Sequence, residues 1–348
     1  MNLAFLESIR SLAVVGATGL VGTEFLDLLS EYKIKISDLR LLASADSAGQ
    51  SVRVGEEQQE QKVEELKPHS FKNIEVAFFS VPNAITEKYV PLAVKSGALV
   101  VDDSGTYRLD PSVPLVVPEV NPQVLRNFSG QIISTPNCTV TPLVMALKPL
   151  SEEFGLKRVV VSTYQSVSGA GRAAYEELSQ QTISLLNGQA QEAEIFPHRI
   201  AFNCLPQIGS ELANGNSTEE EKMVRETRKI LELPQLAISA MCVRVPTFFG
   251  HGMSVNVELE DPFQDVAEIR EVFNDFNGLK VLDKPSHQIY PTCVEAAGSN
   301  ETFVGRIKRD HSVKSGINFW LITDNIRKGA ALNAIQILDT LFKYRRMS

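Results

Sequence analysis

The sequence predicts an α/β chain in which a doubly wound, mostly parallel sheet is followed by an α+β lobe. Three observations predict it. A short apolar strand ends in glycine and runs straight into a helical pattern. Strands and helices then alternate as far as Pro136, and beyond it the strands lengthen while the helices thin out. Alternation of this kind builds parallel sheets, whereas long strands with few crossovers build mixed ones. At 348 residues the chain also exceeds what one core usually supports, which fits two lobes.

In order along the chain, Ser11 to Val15 (SLAVV) is the opening strand and Leu20 to Leu29 the first helix. Strands are expected at Leu39 to Ala43, Glu75 to Phe79, Leu99 to Val101 and Ile132 to Ser134, with a helix from Ala84 to Lys95. A helix from Leu143 to Leu150 precedes the longer strands Arg158 to Tyr164, Ile238 to Val245, Met253 to Glu260, Thr302 to Arg309 and Asn318 to Thr323. Such a sheet carries helices on one face and leaves the other free for a partner, which predicts a homodimer. Gly329 to Arg345 reads as an amphipathic helix with Ala331, Leu332, Ile335, Leu338, Leu341 and Phe342 on one stripe. It is expected to return to the first lobe.

Composition narrows the function. The net charge of -8 argues against nucleic acid, because binding a phosphate backbone needs clustered Lys and Arg. The acidic run Gly55 to Leu66 (GEEQQEQKVEEL) reads as a solvated loop or helix face. No apolar stretch approaches the ~20 residues that cross a bilayer, and the first residues lack the order of a signal peptide, so no membrane and a cytoplasmic location are expected. Cys138, Cys204, Cys242 and Cys293 form no C-x-x-C pair, which suggests neither a metal site nor a redox dithiol.

Two motifs carry chemistry. Gly16-Ala17-Thr18-Gly19-Leu20-Val21-Gly22 follows the first strand and opens the first helix. Glycines there let the backbone approach a pyrophosphate, and the helix start offers free N–H groups. The spacing matches the dinucleotide fingerprint loosely. After the second strand, Ser44 and Ser47 suit a 2′-phosphate while Asp46 suits a free 2′-hydroxyl, leaving NADP and NAD both open. The second motif, Thr135 to Pro142 (TPNCTVTP), places Cys138 at a helix start, where the dipole favours the thiolate that covalent catalysis on a carbonyl needs. His251, in the glycine-flanked turn Phe249-Gly250-His251-Gly252, is the best of the histidines as its proton partner.

With these pieces placed, the chain resembles the aspartate-semialdehyde dehydrogenase family. The resemblance rests on GATGLVG (Gly16 to Gly22), VVPEVN (Val116 to Asn121), PNC (Pro136 to Cys138), TYQSVSGAG (Thr163 to Gly171), AFNCLP (Ala201 to Pro206), Glu219 to Leu231, CVRVPTFFGH (Cys242 to His251) and DNIRKGAA (Asp324 to Ala331), in that order. It implies a Rossmann-like N-terminal dinucleotide-binding domain of residues 1–137 and 329–348, and a catalytic and dimerisation domain of residues 138–328. It implies reversible NADP(H)-dependent reduction of aspartyl phosphate to aspartate semialdehyde, with release of phosphate, through a cysteine thioester, NADPH supplying the hydride.

Carried over residue by residue, Cys138 is the nucleophile, His251 the acid/base, and Gln165 orients the acyl group. Arg244 grips the substrate carboxylate as a planar fork and Glu219 meets the substrate amino group. Arg108 and Lys222 hold phosphate, and Asn137 lines the substrate site. The residues expected against cofactor are Gly16 to Gly22, Ser44, Ser47, Ser168, Gly169 and Asn325. The chain departs from the family pattern at Asp46, Thr139-Val140 and Gly252-Met253. A non-catalytic relative remains an alternative. So does an N-acetylglutamyl-phosphate reductase, although such enzymes carry glycine where Asn137 stands.

Overall fold

Ser11–Val15 is buried at every position, as a strand covered on both faces must be. The computed structural model describes residues 3, 6, 8–55, 58–189 and 191–347. The chain divides into two compact units, Met1–Asn137 with Ala330–Ser348, and Cys138–Gly329.

In the first unit the order is β1 (Ser11–Val15), α1 (Leu20–Glu31), β2 (Asp38–Ala43), β3 (Ser51–Val54), β4 (Gln59–Lys62), β5 (Glu64–Glu65), β6 (Val76–Phe79), α2 (Asn83–Lys95), β7 (Leu99–Asp102) and β8 (Ile132–Ser134). The sheet runs β5-β2-β1-β6-β7-β8, and every pairing in it is parallel. From β1 the chain builds outward to one side and then restarts at β6 on the other. The β1/β6 boundary is therefore the topological switch point, where open α/β sheets bind ligands. One core holds Phe25, Leu28, Phe78 and Val101 together with Leu332, Ile335, Leu338 and Leu341 of the C-terminal helix Leu332–Met347. A separate core holds Phe79, Tyr89, Val90 and Val100.

Two expectations for this unit need correction. The acidic run is neither loop nor helix face: β3 and β4 form an antiparallel ribbon and β5 pairs with β2. Gly55 and Gln58, both at positive φ, turn the ribbon, while its glutamates still face solvent. Residues 56 and 57 lie outside the described ones. The expected C-terminal helix begins instead with a π-helical turn, Arg327–Ala331, in which Gly329 N–H donates to the Asp324 carbonyl at 2.9 Å.

The second unit contains α3 (Val140–Phe154), β9 (Leu156–Gln165), α4 (Arg172–Leu186), α5 (Thr218–Leu231), β10 (Ala237–Arg244), β11 (His251–Leu259), α6 (Val266–Asn274), β12 (Leu279–Val281), α7 (Cys293–Ala296), β13 (Thr302–Asp310) and β14 (Gly316–Thr323). Its sheet runs β10-β9-β11-β14-β13-β12, antiparallel in the centre and parallel at both edges. Helix α3, buried along most of its length, packs against β9, β11, β13 and β14. The strands alternate as a half-covered sheet requires, and Tyr164 and Met241 remain 41% and 55% exposed. Among the described residues no helix is long and apolar enough to cross a membrane.

Phe25 is fully buried and stacks on Phe78 with ring centroids 4.3 Å apart. Phe25→Ala should lower unfolding free energy by about 3–5 kcal/mol, read by chemical denaturation. A loss under 1 kcal/mol would show that this core is not tightly packed.

Candidate active site

The glycine turn lies at the switch point. A Cβ on Gly16, which has φ +92, would sit 2.2 Å from the Ser80 carbonyl oxygen after β6, and one on Gly22 would sit 2.1 Å from the Gly16 carbonyl. Both positions therefore demand glycine. At Gly19, the N-cap of α1, no side chain caps the helix, so the first-turn N–H groups are available to an anion. Thr18 Oγ1 donates to Ser47 Oγ at 3.5 Å, tying this turn to the end of β2, where Ser44 and Asp46 are exposed. The cradle fits a dinucleotide.

Arg108 and Asn137 are also in the first unit and buried. Arg108 Nη2 donates to the Asp103 carbonyl at 2.8 Å. Burial pushes the Asp103 carboxyl up to about 6, opposed by the Arg108 charge and by the Thr135 hydroxyl, which donates to it at 2.5 Å.

In the second unit, strand register assembles the reacting groups. Gln165 is the parallel partner of Arg244, Tyr164 opposes Gly252, and His251 opposes Thr323. The ends of β9 and β10, the start of β11 and the end of β14 thus meet at one edge of the sheet. Thr163 Oγ1 donates to Gln165 Oε1 at 2.9 Å. Gln165 Nε2 donates to Glu219 Oε1 at 3.2 Å. On α5, whose start is fixed by a Ser217/Glu220 capping box, Lys222 Nζ donates to Glu219 Oε2 at 3.0 Å.

Ser166 holds the two groups on either side of it. Its N–H donates to His251 Nδ1 at 3.1 Å, and its carbonyl accepts from Arg244 Nη1 at 2.7 Å. Its hydroxyl donates to Asn325 Oδ1 at 3.1 Å. Asn325 Oδ1 also accepts from Gly250 N–H, and its Nδ2 donates to Ser168 Oγ. Since Nδ1 accepts a backbone N–H, the neutral imidazole carries its proton on Nε2. That nitrogen is buried with no partner among the described residues. Burial, reinforced by the Arg244 charge, pulls the His251 pKa down to about 3, so the ring is neutral at physiological pH.

Cys138 lies one residue before Thr139, the N-cap of α3. It packs on the π turn: a Cβ on Gly329 would lie 3.1 Å from Cys138 Cβ. The charges of Arg244, Glu219 and Cys138 interact, Glu219 and Cys138 countering the lowering that burial imposes on Arg244. The other thiols are different. Burial pushes Cys242 up to about 12 and raises Cys293, while Cys204 is exposed.

Comparison with known proteins now bears on this geometry. Residues 11–128 match the semialdehyde dehydrogenase NAD binding domain, and residues 147–328 match the semialdehyde dehydrogenase dimerisation domain. An aspartate-semialdehyde dehydrogenase of Aquifex aeolicus is 44% identical over 95% of this chain and 97% of its own length. The chain belongs to the aspartate-semialdehyde dehydrogenase family. Aspartate semialdehyde dehydrogenase II of Vibrio cholerae, in complex with ASA, superposes with a TM-score of 0.92 at 39% identity, covering 97% of this chain and 99% of that one. The Candida albicans aspartate semialdehyde dehydrogenase with NADP gives 0.75 at 27% identity over 98% and 100%. As an aspartate-semialdehyde dehydrogenase family member the chain is an oxidoreductase, not a non-catalytic relative, and its cofactor is a nicotinamide dinucleotide.

Of the residues singled out from the sequence, the second unit brings together Cys138, Gln165, Ser168, Gly169, Glu219, Lys222, Arg244, His251 and Asn325. The first unit carries Gly16 to Gly22, Ser44, Ser47, Arg108 and Asn137. His251 is not within a turn as expected. It opens β11, because Gly250 at φ +85 completes the turn before it. Gly252, a departure from the family pattern, is explained by Trp320, whose ring atom Cζ2 would lie 2.4 Å from an added Cβ. Sequence reasoning missed Ser166, Thr163 and Gly329. The run of hydroxyls in TYQSVS was the available signal for the first two.

Two predictions follow from the buried imidazole. His251 binds no proton in the folded protein above about pH 3, whereas in the unfolded chain it binds one below about pH 6.5. Its contribution is therefore complete above that pH and is lost on acidification. Between pH 6.5 and 5 the loss should be about 2 kcal/mol, measured by denaturation against His251→Gln. Equal pH slopes in the two proteins would refute the buried neutral state. A Cβ on Gly169 would lie 2.9 Å from His251 Nε2 and 3.0 Å from Arg244 Nη1, both pinned by Ser166. Gly169→Ala should therefore cut kcat/KM roughly 10- to 100-fold, and an unaltered value would remove Gly169 from the site.

Proposed function

We propose that the chain interconverts L-aspartyl 4-phosphate and L-aspartate 4-semialdehyde reversibly, with NADP(H), through a thioester on Cys138. The observation that carries this reading is that Ser166 pins both the buried His251 imidazole and the Arg244 guanidinium, whose charge interacts with the thiol just ahead of helix α3.

The Arg244 charge and the start of α3 favour Cys138 as thiolate. The sulfur attacks the acyl phosphate carbonyl carbon, an S–C bond forms, and the C–O bond breaks with its electron pair leaving on phosphate. When bound, the nicotinamide dinucleotide supplies the hydride that takes the thioester to the aldehyde level. His251 Nε2–H faces the oxygen that gains charge, a hydrogen bond worth most in a water-excluded site. As the hemithioacetal oxyanion collapses, the C=O bond forms, the S–C bond breaks with its electron pair returning to sulfur, and the thiolate is regenerated.

Arg244 binds the substrate carboxylate, and that anion offsets the positive charge that helps keep His251 deprotonated. Glu219, presented by Gln165 and Lys222, receives the substrate amino group, and Lys222 is assigned to phosphate. The phosphate role of Arg108 and the substrate role of Asn137 are separate assignments in the other unit. For the cofactor, Ser44 and Ser47 favour NADP, as does the NADP complex of the Candida albicans relative. The cofactor contacts of Ser168, Gly169 and Asn325 belong to the same reading.

We further infer a homodimer in which a second copy covers the open sheet face around Tyr164, Met241 and Trp320. The matched dimerisation domain includes all three, and the Tyr164 and Trp320 rings meet at a tilt with centroids 5.4 Å apart.

The test is a burst assay with aspartate semialdehyde, phosphate and either NADP or NAD. Wild-type chain should give a first burst of one equivalent of reduced cofactor per Cys138 ahead of phosphate-dependent turnover, preferentially with NADP, and Cys138→Ala should give neither while still binding cofactor. Turnover in Cys138→Ala would overturn the covalent route. Arg244→Lys should raise KM about 10-fold or more with a smaller change in kcat, since a point charge cannot reproduce the fork. An unchanged KM would contradict the carboxylate assignment.

A further inference from the structure

We propose that Phe196 is a positioning residue for carboxylate recognition: its ring, carried on the strap formed by residues 191–201, backs the Arg244 guanidinium and fixes the direction of the fork. The inference rests on the reading that Arg244 holds the substrate carboxylate.

Geometry supplies the first argument. The central carbon of the Arg244 guanidinium lies 6.0 Å from the Phe196 ring centroid, at the outer edge of the range in which a cation is attracted to a ring face. Arg244 Nη1 also donates to the Ser166 carbonyl, and the guanidinium interacts with the charge of Glu219. That hydrogen bond fixes one nitrogen and leaves the plane of the guanidinium to its packing neighbours. An aromatic surface beside it restricts that plane without occupying the nitrogens that a carboxylate needs.

The way the strap is tethered supplies the second argument. Glu177 and Gln181, one turn apart on α4, are both buried and joined through Gln181 Nε2 to Glu177 Oε1 at 2.8 Å. Glu177 Oε2 accepts the Ile195 N–H at 2.5 Å. Gln181 Oε1 accepts the N–H groups of Ile200 and Ala201 at 3.0 and 3.1 Å. Ser184 Oγ donates to Gln191 Oε1 at 3.0 Å. Phe196 is thus held from both sides, and its ring packs on the core formed by Val167, Ala174, Leu178, Ile200, Ala201 and Leu205. Val167 follows Ser166 directly, so the ring and the Ser166 carbonyl that anchors Arg244 share one scaffold. Burying a carboxylate and a carboxamide carries a desolvation cost that the backbone bonds offset.

Leucine and tyrosine at this position separate the ring from its bulk. In steady-state assays of the full chain with aspartate semialdehyde, Phe196→Leu should raise KM about two- to fivefold, as expected for loss of a partly exposed cation–ring contact, with kcat within twofold. Phe196→Tyr should retain the wild-type KM. Glu177→Ala, which frees the strap without touching the ring, should raise KM in the same direction. An unchanged KM in Phe196→Leu, an equal rise in the leucine and tyrosine variants, or a fall in kcat alone would each overturn the proposal. Arg244→Lys is measured alongside. If it raises KM while Phe196→Leu does not, only this inference fails, whereas an unchanged KM in Arg244→Lys removes the carboxylate reading on which it rests.

Discussion

One residue, Ser166, sets the chemistry of the catalytic edge. Its N–H fixes the His251 tautomer and its carbonyl anchors the Arg244 guanidinium, so the imidazole and the guanidinium cannot move independently. Each partner is buried, and each would be costly to hold there without the bond. His251 bears the burial as a neutral ring. Burial lowers the Arg244 pKa, and Glu219 is the first of the groups that oppose it.

The sheet serves this arrangement through register. A shift of one residue between β9 and β10 would turn Arg244 away from the face that Gln165 occupies. The central antiparallel pairings bring His251 and Thr323 opposite each other, so that Asn325, two residues beyond β14, can gather Gly250, Ser166 and Ser168. The other unit solves its own problem with backbone alone. Gly16 and Gly22 have no room for a Cβ, and the bare start of α1 is left facing the switch point.

Much of this was legible in the sequence because it is local. SLAVV followed by GATGLVG fixes a strand, a turn and a helix within 12 consecutive residues, and TPNCTVTP places a cysteine ahead of a helix in the same way. Arg244, Gln165 and His251 could be named from resemblance, but nothing in their spacing predicted that one peptide would bind two of them. That link depends on strand register across more than 70 positions. The ribbon at β3 and β4 was missed for the opposite reason. Its Glu and Gln residues have low strand propensity, and the turn rests on positive φ at Gly55 and at Gln58, which is not a residue that announces one. Phe196 carried no signal at all, since its role arises from buried side chains on another element.

The most direct test of this account is nitrogen NMR of the chain labelled at histidine, with His251 assigned by comparison with His251→Gln. The account predicts a neutral ring protonated on Nε2, unchanged from pH 7.5 to pH 5 in the absence of substrate. A ring protonated on Nδ1, or one that titrates near pH 6.5, would contradict it.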